Sequence, residues 1–180
     1  MSRIESELGG LDIAVNNAAV NIPATPLHKI PTEGYDAVIN TNLRGLWLSM
    51  KYEIPLLLKR GQGSIVNISS DQGQSAGQNI SAYIASKHGV IGATRAAAMD
   101  YGGQGIRVNC VAPGPTDTAM FRSFVTTAQE RQQFAQNNVP IQRVAQPEEM
   151  SGIVAWLSSD AASYVTGAVF EVDGGFTAST

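Results

Sequence analysis

The chain has 180 residues, of which 43% are hydrophobic and 15% charged, and a formal net charge of −3, enough for one domain with a sizeable core. The acidic balance and the lack of a basic block weigh against nucleic acid, which is held by clustered Lys and Arg neutralising phosphates, and against an anionic membrane surface. No apolar run approaches the roughly 20 residues a membrane helix needs, and the opening MSRIESELGG carries Glu5 and Glu7 where a secretory signal would be apolar.

In chain order, LDIAVNNA is a short apolar run closed by two asparagines and predicts a strand. PTEGYDAVINTNLRGLWLSMKYEIPLLLKRG predicts a long helical segment, with Thr32 as N-cap, Pro55 as a kink or break and Gly61 as the stop. GSIVNISS is a second strand. SAYIASKHGVIGATRAAAMDYGGQG is a helix ended by Gly102 and Gly103, and IRVNCVAPG a third strand. A polar stretch over residues 115–140 reads as mobile. QPEEMSGIVAWLSSD is a helix with Pro147 at its first turn and Glu148 and Glu149 serving its dipole. GAVFEVDGG is the last strand. Alternating strands and helices predict an α/β fold, a parallel sheet of about four strands with helical crossovers. The strands are apolar enough for burial on both faces.

In such sheets ligands bind beyond the carboxyl ends of the strands. Those ends read NNAAVN, SSDQG and PGPTDT. Tyr83 and Lys87 are four residues apart, on one helix face. A neighbouring ammonium would favour the phenolate and lower the tyrosine pKa, suiting Tyr83 to general acid–base work on a hydroxyl or carbonyl. Ser70, at the mouth of the second strand, can be brought opposite as a second donor. The bland alternatives are a packed tyrosine with a solvated amine, and Ser69 and Ser70 capping a turn. Cys110 lies in RVNCVAP and reads as a small buried hydrophobe; a lone cysteine forms no internal disulfide and fits a reducing, cytoplasmic setting. His28 and His88 lack metal-ligand spacing, so no metal is expected. Trp47 and Trp156 are expected in the core.

The set YIASK, with Ser70 thirteen residues before Tyr83 and Asn42 in INTNLRG, resembles the classical short-chain dehydrogenases/reductases. The resemblance covers nearly the whole chain. It implies a Rossmann-like doubly wound fold and hydride transfer between NAD or NADP and an alcohol or carbonyl compound. Tyr83 would move the proton and Ser70 hold the substrate oxygen. Lys87 would bind the ribose, and Asn42, with Asn40 as its decoy, would hold a water of a proton relay. NNAA resembles the family's NNAG, with Asn16 as the cofactor contact and Ala19 replacing a glycine. PGPTDT resembles its cofactor loop, with Thr116 touching the carboxamide and Thr118 the pyrophosphate. YVTGAVFEVDGG resembles its last strand.

The family's T-G-x-x-x-G-x-G turn, which places backbone N–H groups on the pyrophosphate, is not found in this sequence. The resemblance therefore implies a single, N-terminally truncated domain, the C-terminal part of the doubly wound sheet. Three explanations follow, in order of preference: a fragment of a longer enzyme, a truncated non-catalytic paralogue acting as an interaction partner or non-functional, and an active short form. The expected partners are a small alcohol or carbonyl substrate and, when the protein is complete, a second copy in a dimer or tetramer. Leu46, Trp47, Met50, Ile84, Val90 and Ile91 are the apolar surplus that suggests association. MFRSFV gives the polar stretch an apolar element toward the substrate.

Overall fold

The computed structural model describes residues 2–178. Among them, α1 (Ser2–Leu8) leads to β1 (Ile13–Asn16), then α2 (Thr32–Ile39) and α3 (Leu46–Arg60). The chain continues through β2 (Gly63–Ile68), α4 (Ser81–Tyr101) and β3 (Ile106–Pro113). It ends with α5 (Ala119–Phe124), α6 (Ala128–Asn138), α7 (Glu148–Ser158) and β4 (Val169–Val172). The four strands form one parallel sheet in the order β1-β2-β3-β4. Asn16 pairs with Asn67, and Asn67 with Cys110, so all carboxyl ends leave at one edge.

Alternation along the strands sends side chains to two cores. Ala14, Ile65, Val108 and Cys110 pack with Met50, Ile54 and Leu57 of α3 and with Val90, Ile91 and Ala98 of α4. Val66 and Val111 turn the other way, onto Leu157 of α7 and Ala162. The sheet is thus covered on both faces, as expected of its apolar strands. At β1 the second face is open: Ile13 and Val15 are each 47% exposed. No helix among the described residues is long and apolar enough to cross a membrane.

Several local expectations need correction. Thr32 is the first helical residue, Pro31 is the N-cap, and no side chain caps this helix. Pro55 does not break α3. It removes one helical hydrogen bond, but Ile54, Leu56 and Leu57 beside it are buried and hold the helix in register. The irregularity lies earlier, in a π-helical turn over residues 40–45 that joins α2 to α3. Gly61 does end α3, in the left-handed conformation at φ 76°. The stretch expected to be mobile folds into α5 and α6, the latter opened by a capping box in which Thr127 and Glu130 satisfy each other's backbone N–H. Trp47 is 52% exposed, because the buried stripe of α3 runs through Leu46, Met50, Ile54 and Leu57 and leaves position 47 outside it. Trp156 is partly buried, edge-on to Phe170 at 5.6 Å.

Candidate active site

The site begins where β2 ends. Ser69 continues the ladder, its N–H donating to Val111 O at 2.8 Å, and its hydroxyl donates to Lys87 O at 2.9 Å. That bond ties α4 to the strand end. Gly73 in the following turn has no room for a side chain: a Cβ there would stand 2.4 Å from Ser69 Oγ and 3.1 Å from Lys87 O. The close approach of this turn to α4 places Ser70 against Tyr83.

Ser70 has an extended backbone and caps the turn, accepting from Gln72 N at 3.2 Å. Its hydroxyl donates to Asp71 Oδ1 at 2.5 Å. The Ser70 hydroxyl near the Tyr83 phenol favours its ionised form. The net shift of Tyr83 is nevertheless upward, since burial outweighs the effect of Ser70 and the Asp71 charge adds to the rise. This corrects the expectation that Lys87 lowers the tyrosine pKa. Lys87 Nζ does lie 5.5 Å from the Tyr83 ring centroid, but as a contact with the ring. Its ammonium donates to Ile68 O at 3.0 Å.

Lys87 is 2% exposed, and burial pushes its pKa down from 10.5 to about 8. An ammonium has three donors, and the protein takes one of them, at Ile68 O. A ribose diol, two adjacent oxygens, fits the remaining two. Lys87 and Tyr83 together therefore suit the ribose of a nicotinamide dinucleotide.

Asn42 lies in the π-helical turn, 1% exposed, and π turns recur at functional sites. Its amide oxygen accepts from Val20 N at 2.8 Å. Its nitrogen donates to Val20 O at 2.9 Å and to Ser86 Oγ at 3.1 Å. Ser86 in turn donates to Tyr83 O at 2.7 Å. Asn42 thus clamps the loop after β1 to α4 at the level of Tyr83, with both amide donors engaged.

At the end of β1, the Asn16 side chain is engaged within the protein. Its nitrogen donates to Glu53 Oε2 at 3.1 Å and to Asn67 Oδ1 at 3.0 Å. Asn67 then donates to Thr94 Oγ1 at 3.0 Å. This buried chain joins β1, β2, α3 and α4, and Glu53 within it has its pKa raised by burial, opposed by the Asn16 bond. Sequence reasoning passed over Asn67, Thr94 and Glu53. The available signal was an asparagine in each of VNN, VNI and VNC, since asparagine is depleted in strands and a buried one needs a side-chain partner. Ala19 is not among the non-glycine residues at positive φ, which are Asn79 and Gln142, so replacing glycine there brings no strain.

Thr116 is half-buried, bonds Gly114 O at 3.0 Å and bridges to Ala145. Thr118 is exposed, and its hydroxyl accepts from Phe121 N at 3.2 Å as the cap of α5. Both threonines stand beyond the end of β3, on the same edge as Ser70.

The family model described as enoyl-(acyl carrier protein) reductase matches residues 1–177. The cyclohexanol dehydrogenase of Acinetobacter sp. (strain SE19) is 42% identical over 172 residues, 96% of this chain and 66% of that protein. Levodione reductase has a solved structure 34% identical to this chain, with a TM-score of 0.95 over 99% of this chain and 71% of that one. The gluconate 5-dehydrogenase of Burkholderia cenocepacia J2315, solved with NADP and tartrate, is 31% identical, with a TM-score of 0.94 over 99% of this chain and 69% of that one. The chain spans about two thirds of the length of the relatives it matches. The four-stranded parallel sheet, the serine, tyrosine and lysine gathered at its carboxyl edge and these matches lead to one conclusion: the chain belongs to the short-chain dehydrogenase/reductase family.

Proposed function

We propose that this chain carries the catalytic machinery of an NAD(P)-dependent oxidoreductase acting on an alcohol/carbonyl pair. The observation that carries the reading is the Lys87 ammonium 5.5 Å from the centre of the Tyr83 ring, with Ser70 near that phenol at the end of β2. The nicotinamide cofactor, when bound, supplies or accepts the hydride. Tyr83, held neutral by its raised pKa, gives a proton to a carbonyl oxygen; in the reverse direction its phenolate takes one from a hydroxyl. Ser70 holds that oxygen. Lys87 binds the ribose through its two remaining donors. Because both amide donors of Asn42 are engaged, a water-holding role for this residue would fall to its oxygens.

The substrate class we infer is a secondary alcohol or ketone on a small ring or polyol, in keeping with the names of the relatives. Phe121 of α5, edge-on to Phe134 at 5.6 Å, supports an apolar element in the segment that follows β3. NADP is favoured by the relative solved with it. Association would use the outer faces of α3 and α4. There Trp47, Tyr52 and Met99 are exposed, whereas Leu46, Met50, Val90 and Ile91, expected at the interface, are buried in the chain's own core. A reducing, cytoplasmic location would keep the buried Cys110 a thiol.

The test joins this chain to the N-terminal third of the Acinetobacter cyclohexanol dehydrogenase and assays cyclic ketones and alcohols by nicotinamide absorbance. Turnover that depends on Tyr83 is expected. A folded chimera that binds cofactor but shows no turnover, or turns over equally as Tyr83→Phe, would overturn the reading.

A further inference from the structure

The helices that follow β3 stand outside both cores. No residue of α5 or α6 belongs to either cluster of packed side chains, although both helices follow the edge of the sheet that carries Ser70. Their base is closed. Thr116 bridges to Ala145, Asp117 N donates to Ala145 O at 2.8 Å, and Ala145 N donates to Pro115 O at 3.0 Å. The segment between leaves and returns at one point. Within it, Phe121 of α5 meets Phe134 of α6 edge-on at 5.6 Å. Asp117 Oδ1 accepts from Arg122 Nε of α5 at 2.7 Å, and Arg131 Nε of α6 stands 3.6 Å from the same oxygen. The two helices are thus tied to each other. An element so joined, with few core contacts, opens readily unless something outside it holds it.

What holds it is the turn after β4. The Phe176 ring stacks on Phe134 at 6.2 Å, with the planes 26° apart. Beside it, Gly174 and Gly175 have positive φ, 65° and 84°. A Cβ on them would stand 2.9 Å from Val139 Cγ1 and 3.0 Å from Pro140 Cγ, so glycine allows both the conformation and the close approach. Ile141 N donates to Gly174 O at 3.3 Å. The turn is itself fixed. The Asp173 carboxylate accepts from Gly175 N at 2.9 Å and from Thr177 N at 2.8 Å. On the sheet side, a Cβ on Gly114 would stand 2.6 Å from Asp173 Cα. Glu171 of β4 accepts from Gln74 Nε2 at 2.5 Å, in the segment that follows Ser70. Strand β4 and its turn therefore touch the end of β3, the loop beyond Ser70 and the α5–α6 pair.

We propose that Phe176 is a positioning residue that latches α5 and α6 against the carboxyl edge of the sheet and so sets how tightly a substrate is held beside Tyr83. Phe176 acts through Phe134, not on the reacting atoms. Release of the latch opens the site to water and loosens the hold on substrate. Ser70, Tyr83 and Lys87, fixed by β2 and α4, keep their places. The latch thus affects binding and leaves the chemical step alone.

The consequence for substrate rests on the oxidoreductase reading, but the latch is tested without turnover. Hydrogen exchange of the full chain, read by mass spectrometry, compares peptides from residues 119–138 with peptides from β2, β3 and α4. Phe176→Ala should speed exchange in residues 119–138 by about 10-fold, the scale of one lost aromatic pair, and leave the strands and α4 unchanged. Phe176→Tyr should exchange like the wild type. Exchange that is unchanged in residues 119–138, that rises equally in the sheet, or that Phe176→Tyr raises as much as Phe176→Ala, would overturn the proposal. In the active chimera, Phe176→Ala should raise the substrate KM by about 10-fold and change kcat by less than about threefold. A loss of kcat at unchanged KM would overturn the role toward substrate. An inactive chimera would count against the oxidoreductase reading and leave the exchange rates to decide this one.

Discussion

Lys87 Nζ sits 5.5 Å from the centre of the Tyr83 ring, one helical turn away, yet it bonds a strand carbonyl, Ile68 O, at 3.0 Å. The pair is held by burial under the end of β2 as much as by its helical spacing. That burial pushes the lysine down to about 8 and the tyrosine up. The tyrosine is thereby a neutral phenol at pH 7, and the lysine, at about 8, titrates close to that pH.

The proton and oxygen roles separate by mutation. In an active chimera, Tyr83→Phe should lower turnover by at least about 100-fold, the usual range for a lost general acid or base. Ser70→Ala should lower it by about 100- to 1,000-fold, as for other lost donors to a reacting oxygen. Ser69→Ala, which removes only a bond to Lys87 O, should leave the rate nearly intact and cost about 1 kcal/mol of stability. Steady-state kinetics with a melt on each variant checks all three.

The Lys87 shift makes a stability prediction with a definite sign. The folded-state pKa lies below the unfolded value, so between about 8 and 10.5 the unfolded chain binds more protons, and stability rises with pH. Cys110, raised from 9.0 to about 11, acts oppositely above pH 9. Lys87→Met leaves Cys110 in place. Relative to that variant, the wild type should gain stability as pH rises from 7 to 10.5, by up to about 3 kcal/mol. Urea midpoints at four pH values measure this. A gap that does not change with pH would refute it.

Asn16 is predicted to be a structural residue. Asn16→Ala leaves Glu53 and Asn67 without their donor, which should destabilise the fold by about 1–3 kcal/mol. Glu53→Gln should instead stabilise it at neutral pH. The raised Glu53 pKa means its favourable contribution is present below the ordinary glutamate value and is lost as pH climbs through the folded-state value. Chemical denaturation distinguishes this from a cofactor role, in which Asn16→Ala would raise the cofactor KM at unchanged stability.

Trp47, half out of α3 with the Lys51 ammonium 5.6 Å from its ring, is the expected anchor of self-association. Trp47→Glu should weaken it by about 30-fold or more, the scale of an interfacial aromatic hot spot. Light scattering across a concentration series reads the change, and identical masses for both proteins would exclude this face.

At the opposite side, β1 pairs only with β2 among the described residues and exposes Ile13 and Val15. Such an edge invites further strand pairing. The 180-residue chain is expected to self-associate through it, and Val15→Lys, a charge on the open face, should suppress thioflavin-positive aggregation without lowering the melting temperature.

Much of this protein follows from short-range pattern. The alternation of apolar runs predicts the parallel sheet. The four-residue spacing of Tyr83 and Lys87 puts them on one helix face wherever that helix lies, and Gly61 ends α3 by its own conformational freedom. That Ser70 rather than Ser69 partners Tyr83 is what the family resemblance implies, from its thirteen-residue distance along the chain. What remained hidden depends on contacts between distant segments. Asn16 is engaged by residues 37 and 51 positions away. Trp47 is exposed because the core stripe of α3 passes beside it. The direction of the Tyr83 shift is decided by how deeply the end of β2 buries the phenol, and the proton of Ser70 by a carboxylate folded back onto it. Periodicity specifies which face a residue shares with its helical neighbours. Only the packed structure specifies how much water that face loses and which partner replaces it, and those two quantities set pKa, hydrogen-bond direction and exposure.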